Sequence, residues 1–134
     1  MDKSLIDTDI LSLFLRGNAN VIKRFKEYLS EYSQLTFSII TYYEIKSGLL
    51  FRDSRKQLVS FLEFSKYNSI LSVNEHSATI SSEIYSDLRK QGLLIDDIDL
   101  LIAGIAIAND LVLVTHNTDH FSRIKKLAIQ DWAI

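Results

Sequence analysis

Four acidic residues stand where a folded chain could use them together. Asp7 directly follows the apolar run SLI, Glu44 lies inside TYYEIKSGLL, Asp99 closes the stretch IDDID, and Asp119 comes soon after LVLVT. Clustered carboxylates repel one another and lose hydration on burial, so such a set needs an offset. A divalent hard cation supplies it, and oxygen-only ligands favour Mg2+ or Mn2+ over zinc. The chain has no cysteine, which removes thiolate zinc sites and disulfides alike. A cation held by such acids lowers the pKa of a water and orients it for attack, the chemistry of metal-assisted hydrolysis.

Each acid also has a plainer reading. Thr41 and Glu44 have capping-box spacing. Asp96 or Asp97 suits the N-cap of the apolar segment that follows, and Asp99 in its first turn favours the helix dipole. Asp9 is placed to cap a helix over 10–15. Asp7 is harder to dismiss, because it directly follows an apolar strand. Of the three histidines, His76 suits a helix surface. His116 and His120 flank the Asn117–Asp119 loop, where they either contact substrate or face water. No G-x-S-x-G elbow, G-x-x-x-x-G-K-[ST] loop or G-x-G-x-x-G fingerprint occurs.

The elements that must position these residues alternate in kind. Apolar runs at 4–7, 35–39, 70–73, 111–115 and 127–132 read as strands, the last as an edge strand. Between them, 10–15, 20–32, a segment from Thr41, 57–64 and a segment after Asn74 read as helices, the last with Ile80, Ile84 and Leu88 on one face and Gly92 at its end. Ile98, Leu101, Ile102 and Ile105 recur at helical spacing, and Ala103, Gly104, Ala106 and Ala108 keep that helix narrow enough for close packing. Alternating short strands and helices predict an α/β fold, a three-layer α/β/α sandwich on a mostly parallel sheet. In such sheets ligands bind beyond the carboxyl ends of the strands. Asp7, Glu44 and the Asn117 loop then share one end, and Asp99 joins them if its helix begins there.

Composition sets the frame. The 134 residues are 47% hydrophobic and contain no proline, which fits one domain over 1–134 with a core of its own. The amino-terminal MDKSLID lacks the apolar stretch of a signal peptide, and no segment is apolar enough to span a membrane. With the lack of cysteine, this leads us to expect a cytoplasmic protein. A net charge of -2 does not advertise nucleic-acid binding. Enzymes that cut phosphodiesters need no global excess of base, because bound cations offset repulsion between acids and phosphates.

In order along the chain, three pieces resemble one family. LIDTDILSLFL resembles an apolar strand followed by Asp-Thr-Asn and a hydrophobic run. SIITYYEIKSGLL resembles a Ser-x-(Ile/Val)-Thr-x-x-Glu-(Leu/Ile)-x-x-Gly signature. IDDIDLLIAGIAIANDLVLVTHNTDHF resembles Asp-x-x-Ile-Ala-(Ala/Gly)-x-Ala, then a strand, then Thr-x-Asn-x-x-x-Phe. The family is that of PIN-domain ribonucleases of the VapC toxin type. The resemblance implies a PIN-like fold and a metal-dependent endoribonuclease, with Asp7, Glu44 and Asp99 as metal-holding catalytic acids. It implies Mg2+, or Mn2+ in its place, and cleavage that leaves a 5'-phosphate and a 3'-hydroxyl. It further implies a toxin held inactive by a cognate antitoxin protein, and a homodimer. The exposed faces of the helices at 20–32 and 53–65 are the expected antitoxin contacts. The family's fourth acid falls on Asn117, with Asp119 nearby, and its asparagine at position 9 is Asp9 here. Thr8 and Thr115 are expected to hydrogen-bond the acids in place.

Two other readings compete. An inactive PIN-like module would only sequester RNA or a protein, and the intact Asp7, Glu44 and Asp99 argue against it. Asp7-Thr8-Asp9 has the Asp-x-Asp form of haloacid-dehalogenase-like phosphatases, but Leu11 stands where their threonine belongs and Glu44 would have no role.

Overall fold

The computed structural model describes all 134 residues. Five short strands, each two or three residues long, form its centre: β1 (Ser4–Ile6), β2 (Thr36–Ser38), β3 (Ser69–Leu71), β4 (Val112–Val114) and β5 (Ile129–Gln130). Their order is β3-β2-β1-β4-β5, and every neighbouring pair is parallel. Parallel pairing requires crossovers, which are helical here. They are α1 (Thr8–Leu15), α2 (Ala19–Leu29), α3 (Ile39–Phe51), α4 (Arg55–Lys66), α5 (Glu75–Lys90), α6 (Asp97–Ala108) and the single turn α7 (Thr118–Phe121).

Successive strand residues point to opposite faces. Leu5 and Leu113 join one apolar cluster with Ile84, Leu88, Ile102 and Ile105 of α5 and α6. Ile6 and Val114 join the other, with Ile10, Phe25, Phe61 and Trp132. The expected three-layer sandwich is therefore present, with the sheet buried on both faces. No helix is long and apolar enough to cross a membrane.

Local chemistry corrects several helix starts. The first helix begins at Thr8, not Ile10, because Asp7 is its N-cap and accepts from the Thr8 N–H. Asp9 therefore sits inside the first turn. The third helix begins at Ile39. Its cap is Ser38, whose hydroxyl accepts from the Thr41 N–H, so Thr41 and Glu44 do not form a capping box. Asp96 holds the N-cap position of α6 but makes no side-chain cap bond. Asn74 caps α5 as expected, in a reciprocal box with Ser77.

The narrow face of α6 packs on α5 at Gly104. A Cβ placed there would lie 2.0 Å from Ser81 Oγ and 2.5 Å from the Ser77 carbonyl oxygen. The single proton of Ser81 Oγ is shared between Leu100 O at 2.8 Å and Ser77 O at 3.0 Å, tying the two helices together. Gly104→Ala should cost about 2 kcal/mol by overpacking, measured by urea unfolding. Adding Ser81→Ala should recover only part of that loss, because the Ser77 backbone still blocks the methyl group. Full recovery would refute this account.

Candidate active site

Because all five strands are parallel, their carboxyl ends lie together. Asp7 follows β1, Ser38 ends β2, Thr115 follows β4 and Asp131 follows β5. Asp7 is 6% exposed. Its Oδ1 accepts from the Thr8 N–H at 2.8 Å and its Oδ2 from the Thr115 hydroxyl at 2.8 Å. One carboxylate thus links the first strand's exit to the fourth's. Thr115 Oγ1 also accepts from the Asn117 N–H at 3.0 Å, which sets the start of the following loop.

Glu44 reaches the same place through hydroxyls. Thr8 Oγ1 donates to Glu44 Oε1 at 2.7 Å and lies 2.9 Å from Thr41 Oγ1. A hydroxyl has one proton, so Thr41 donates to Thr8. Thr41 accepts in turn from Ser38 Oγ, at 3.4 Å. The relay Ser38, Thr41, Thr8, Glu44 holds the glutamate one turn inside α3.

Asp99 arrives from the other layer, at the third residue of α6. His120 Nδ1 lies 3.9 Å from its Oδ2, and Asn117 Nδ2 lies 3.0 Å from the same ring nitrogen. A continuous set of contacts therefore runs from Glu44 through Thr8, Asp7, Thr115, Asn117 and His120 to Asp99.

The electrostatics record the crowding. Burial, and then the charge of Asp9, pushes the Asp7 carboxyl up to about 7 despite its two hydrogen bonds, with Asp99 adding to the rise. Burial also raises Asp99, helped by Asp96, Glu44 and Asp9 and opposed by His120. Asp9 is raised by burial too, though the His116 and Ile10 N–H groups oppose it. Such a cluster is unfavourable to ionise without a cation.

The expected site residues divide. Asp7, Glu44 and Asp99 converge, and Thr8, Thr115 and Asn117 connect them. Both oxygens of Asp9 are taken by backbone, Oδ1 by Ile10 N–H and Oδ2 by His116 N–H. Asp9 therefore braces the β4 exit against α1. Asp119 is exposed and makes its one side-chain-mediated contact through its carbonyl, to Ser122. Two contributors escape the sequence reading. Ser38 was hidden by the alternative cap at Thr41. Asp131 is the other, with its Oδ2 2.8 Å from His116 Nδ1. The rule that flags Asp7 flags it equally, since it is the first residue beyond a strand.

The donor set is oxygen-rich and electron-rich, which fits a hard divalent cation. As the side chains stand, no three acids or histidines are close enough to form one coordination group.

A PIN-domain family model matches residues 4–127, and so covers every residue of this network except Asp131. The chain belongs to the PIN-domain family. Among relatives of this PIN domain, ribonuclease VapC1 of Methanocaldococcus jannaschii is 33% identical, over 96% of this chain and 85% of its own. Ribonuclease VapC1 of Haemophilus influenzae strain R2866 is 30% identical, over 96% of each. The fold also matches a chain of VapBC2 from Rickettsia felis, solved bound to a DNA fragment from their promoter. There the TM-score is 0.87 and identity 25%, over 96% of this chain and 98% of that one.

Proposed function

We propose that this PIN domain is a metal-dependent endoribonuclease and the toxin of a toxin–antitoxin pair, its 134 residues acting as one unit. The observation that carries the reading is the hydrogen-bonded network that links Asp7 and Glu44 at the carboxyl end of the sheet, with Asp99 facing it across a 3.9 Å contact to His120. The names of its relatives, ribonucleases VapC1, support it.

Asp7, Glu44 and Asp99 would hold Mg2+ or Mn2+, in part through water. The ion supplies a water of lowered pKa and positive charge for the phosphoryl oxygens. The chain's own residues fix geometry. Thr8 and Thr115 lock the Asp7 carboxylate from two sides, and the Ser38–Thr41–Thr8 relay aims Glu44. The buried α6 holds Asp99 on a rigid element. No side chain has to become a covalent nucleophile.

A cognate antitoxin is the proposed partner, in keeping with a similar chain solved as part of a VapBC assembly. The helix faces expected to meet it carry apolar groups in solvent, with Leu29 on α2 and Val59 on α4. The chain is also proposed to act as a homodimer.

The test is an assay of purified, antitoxin-free chain on structured and unstructured RNAs. Cleavage should require Mg2+ and stop with EDTA. Asp99→Asn should lower it about 100-fold or more, since losing even an indirect metal contact costs 10–100-fold. Activity indifferent to both chelation and Asp99→Asn would sink the metal mechanism. Total inactivity of the well-folded chain on a broad RNA pool would favour a binding module.

A further inference from the structure

The acid network attracts cations and repels the phosphates it is proposed to cut. Lysine and arginine do not relieve that repulsion locally, since none forms an ion pair with Asp7, Glu44 or Asp99. The cation-capable groups that touch the network or its brace are two imidazoles. His120 faces Asp99 and is engaged with Asn117. His116 is different, because it is anchored from behind and open in front.

Asp131 is the anchor. Its side chain is 9% exposed, and its two oxygens have separate duties. Oδ1 accepts from the Ala133 N–H at 2.8 Å, which fixes the carboxylate in the turn after β5. Oδ2 takes the His116 Nδ1–H at 2.8 Å. The backbone N–H of His116 is itself held by Asp9 Oδ2 at 3.0 Å, so main chain and ring are both pinned. With Nδ1 committed to Asp131, Nε2 is the ring atom left for a ligand. The side chain is 58% exposed, on the loop that leaves Thr115, with Asp9 as its other acidic neighbour.

We propose that His116, oriented by Asp131, is a positioning residue that contacts a phosphate oxygen of the RNA strand beside the cut. This rests on the ribonuclease reading of the site. The groups that face the imidazole are Asp131 from the segment after β5 and Asp9 from α1. Both are acidic, and the hydrogen bond to Asp131 in particular holds His116 above the usual histidine range. The environment thus favours the protonated ring, in which Nε2–H donates to phosphate. The same arrangement explains why a buried carboxylate follows β5 although it takes no part in holding the metal. Its role is to aim one cation at the substrate's backbone.

The experiment measures binding and turnover separately. Binding of a fluorescent mixed-sequence single-stranded RNA is followed by anisotropy in Ca2+, across a range of salt. Cleavage of the same RNA is followed in Mg2+. His116→Ala and Asp131→Asn should each weaken binding about tenfold, the size of one charged hydrogen bond. His116→Ala should flatten the plot of log affinity against log salt by about 0.7, the slope of one phosphate contact on a single strand. KM should rise while kcat stays near that of the parent, and His116→Lys should restore affinity and slope. Melting temperatures close to the parent's check that the variants fold. Unchanged affinity and slope in His116→Ala would overturn the proposal. So would a loss confined to kcat, which would put the imidazole in the chemical step. A parent chain that neither binds nor cuts RNA would refute the ribonuclease reading, and this proposal with it.

Discussion

Asp7→Asn should abolish RNA cleavage and at the same time stabilise the metal-free protein. The carboxyl is buried and stands near Asp9 and Asp99, which together push it up to about 7. In the unfolded chain it returns to the ordinary value of 3.8. Between these values the folded protein retains a proton that the unfolded chain gives up. Stability from this group is therefore full below the unfolded value and is lost as pH rises towards about 7. The integrated loss is on the order of 4 kcal/mol, at 1.36 kcal/mol per pH unit of separation. An asparagine carries no charge to bury and still accepts from Thr8 or Thr115. In EDTA the variant should match the parent near pH 4 and exceed it by about 2–4 kcal/mol at pH 8, read by urea unfolding. Millimolar Mg2+ should then raise the melting temperature of the parent more than that of the variant. A variant less stable than the parent at pH 8 in EDTA would show that the carboxylate is not under electrostatic stress.

A second large effect is expected at Trp132. Its ring is fully buried near the end of the chain. Phe25 meets it edge-on at 5.8 Å between centroids, Tyr28 lies at 5.6 Å, and the Arg24 guanidinium sits 5.8 Å from the ring centre. The indole N–H is satisfied by Gln130 Oε1 at 3.1 Å. Trp132→Ala should cost about 3–5 kcal/mol, the range for aromatic truncation in a core. The loss should not stay local. Trp132 clamps the segment that carries Asp131, so the His116 ring should lose its anchor as well. The expected result is a large fall in unfolding free energy together with weakened RNA binding at temperatures where the variant remains folded. A loss below about 1 kcal/mol would mean the indole contributes little beyond an exposed apolar group.

Most of the architecture was legible because burial writes itself into composition. Continuous apolar triplets such as VLV and SLI belong to strands covered on both faces, and the periodic ILLI pattern of α6 marks a helix. Helix starts were less legible, because capping residues compete. Ser38 and Thr41 both offer hydroxyls three residues apart, and the choice was made by pairing. Ser38 is in register with Leu71 as the last residue of β2, so the helix had to begin just after it. Asp7 similarly both ends a strand and caps a helix, leaving no room for Asp9 to do so. Asp7 and Asp99 were legible because each stands at an element boundary, and Glu44 because it lies one turn inside the helix that follows a strand. Their connection through Thr8, Thr41 and Thr115 was not, since hydroxyls are common and only the sheet order brings residues of β1, β2 and β4 side by side. Asp131 was obscured by following an edge strand of only two residues, where pattern is weakest.

The pairing of the first strand with the fourth has a consequence for how the activity comes into being. Leu5 lines up with Leu113, so β1 must wait for a strand made about 100 residues later. At about 5–20 residues per second the delay on the ribosome is roughly 5 to 20 seconds. Until then Asp7 lacks the Thr115 hydroxyl that locks it, and Asp99 lacks the loop that faces it. Chains still short of β4 therefore carry the acids without the assembled centre, and the site is completed only once that strand has been made.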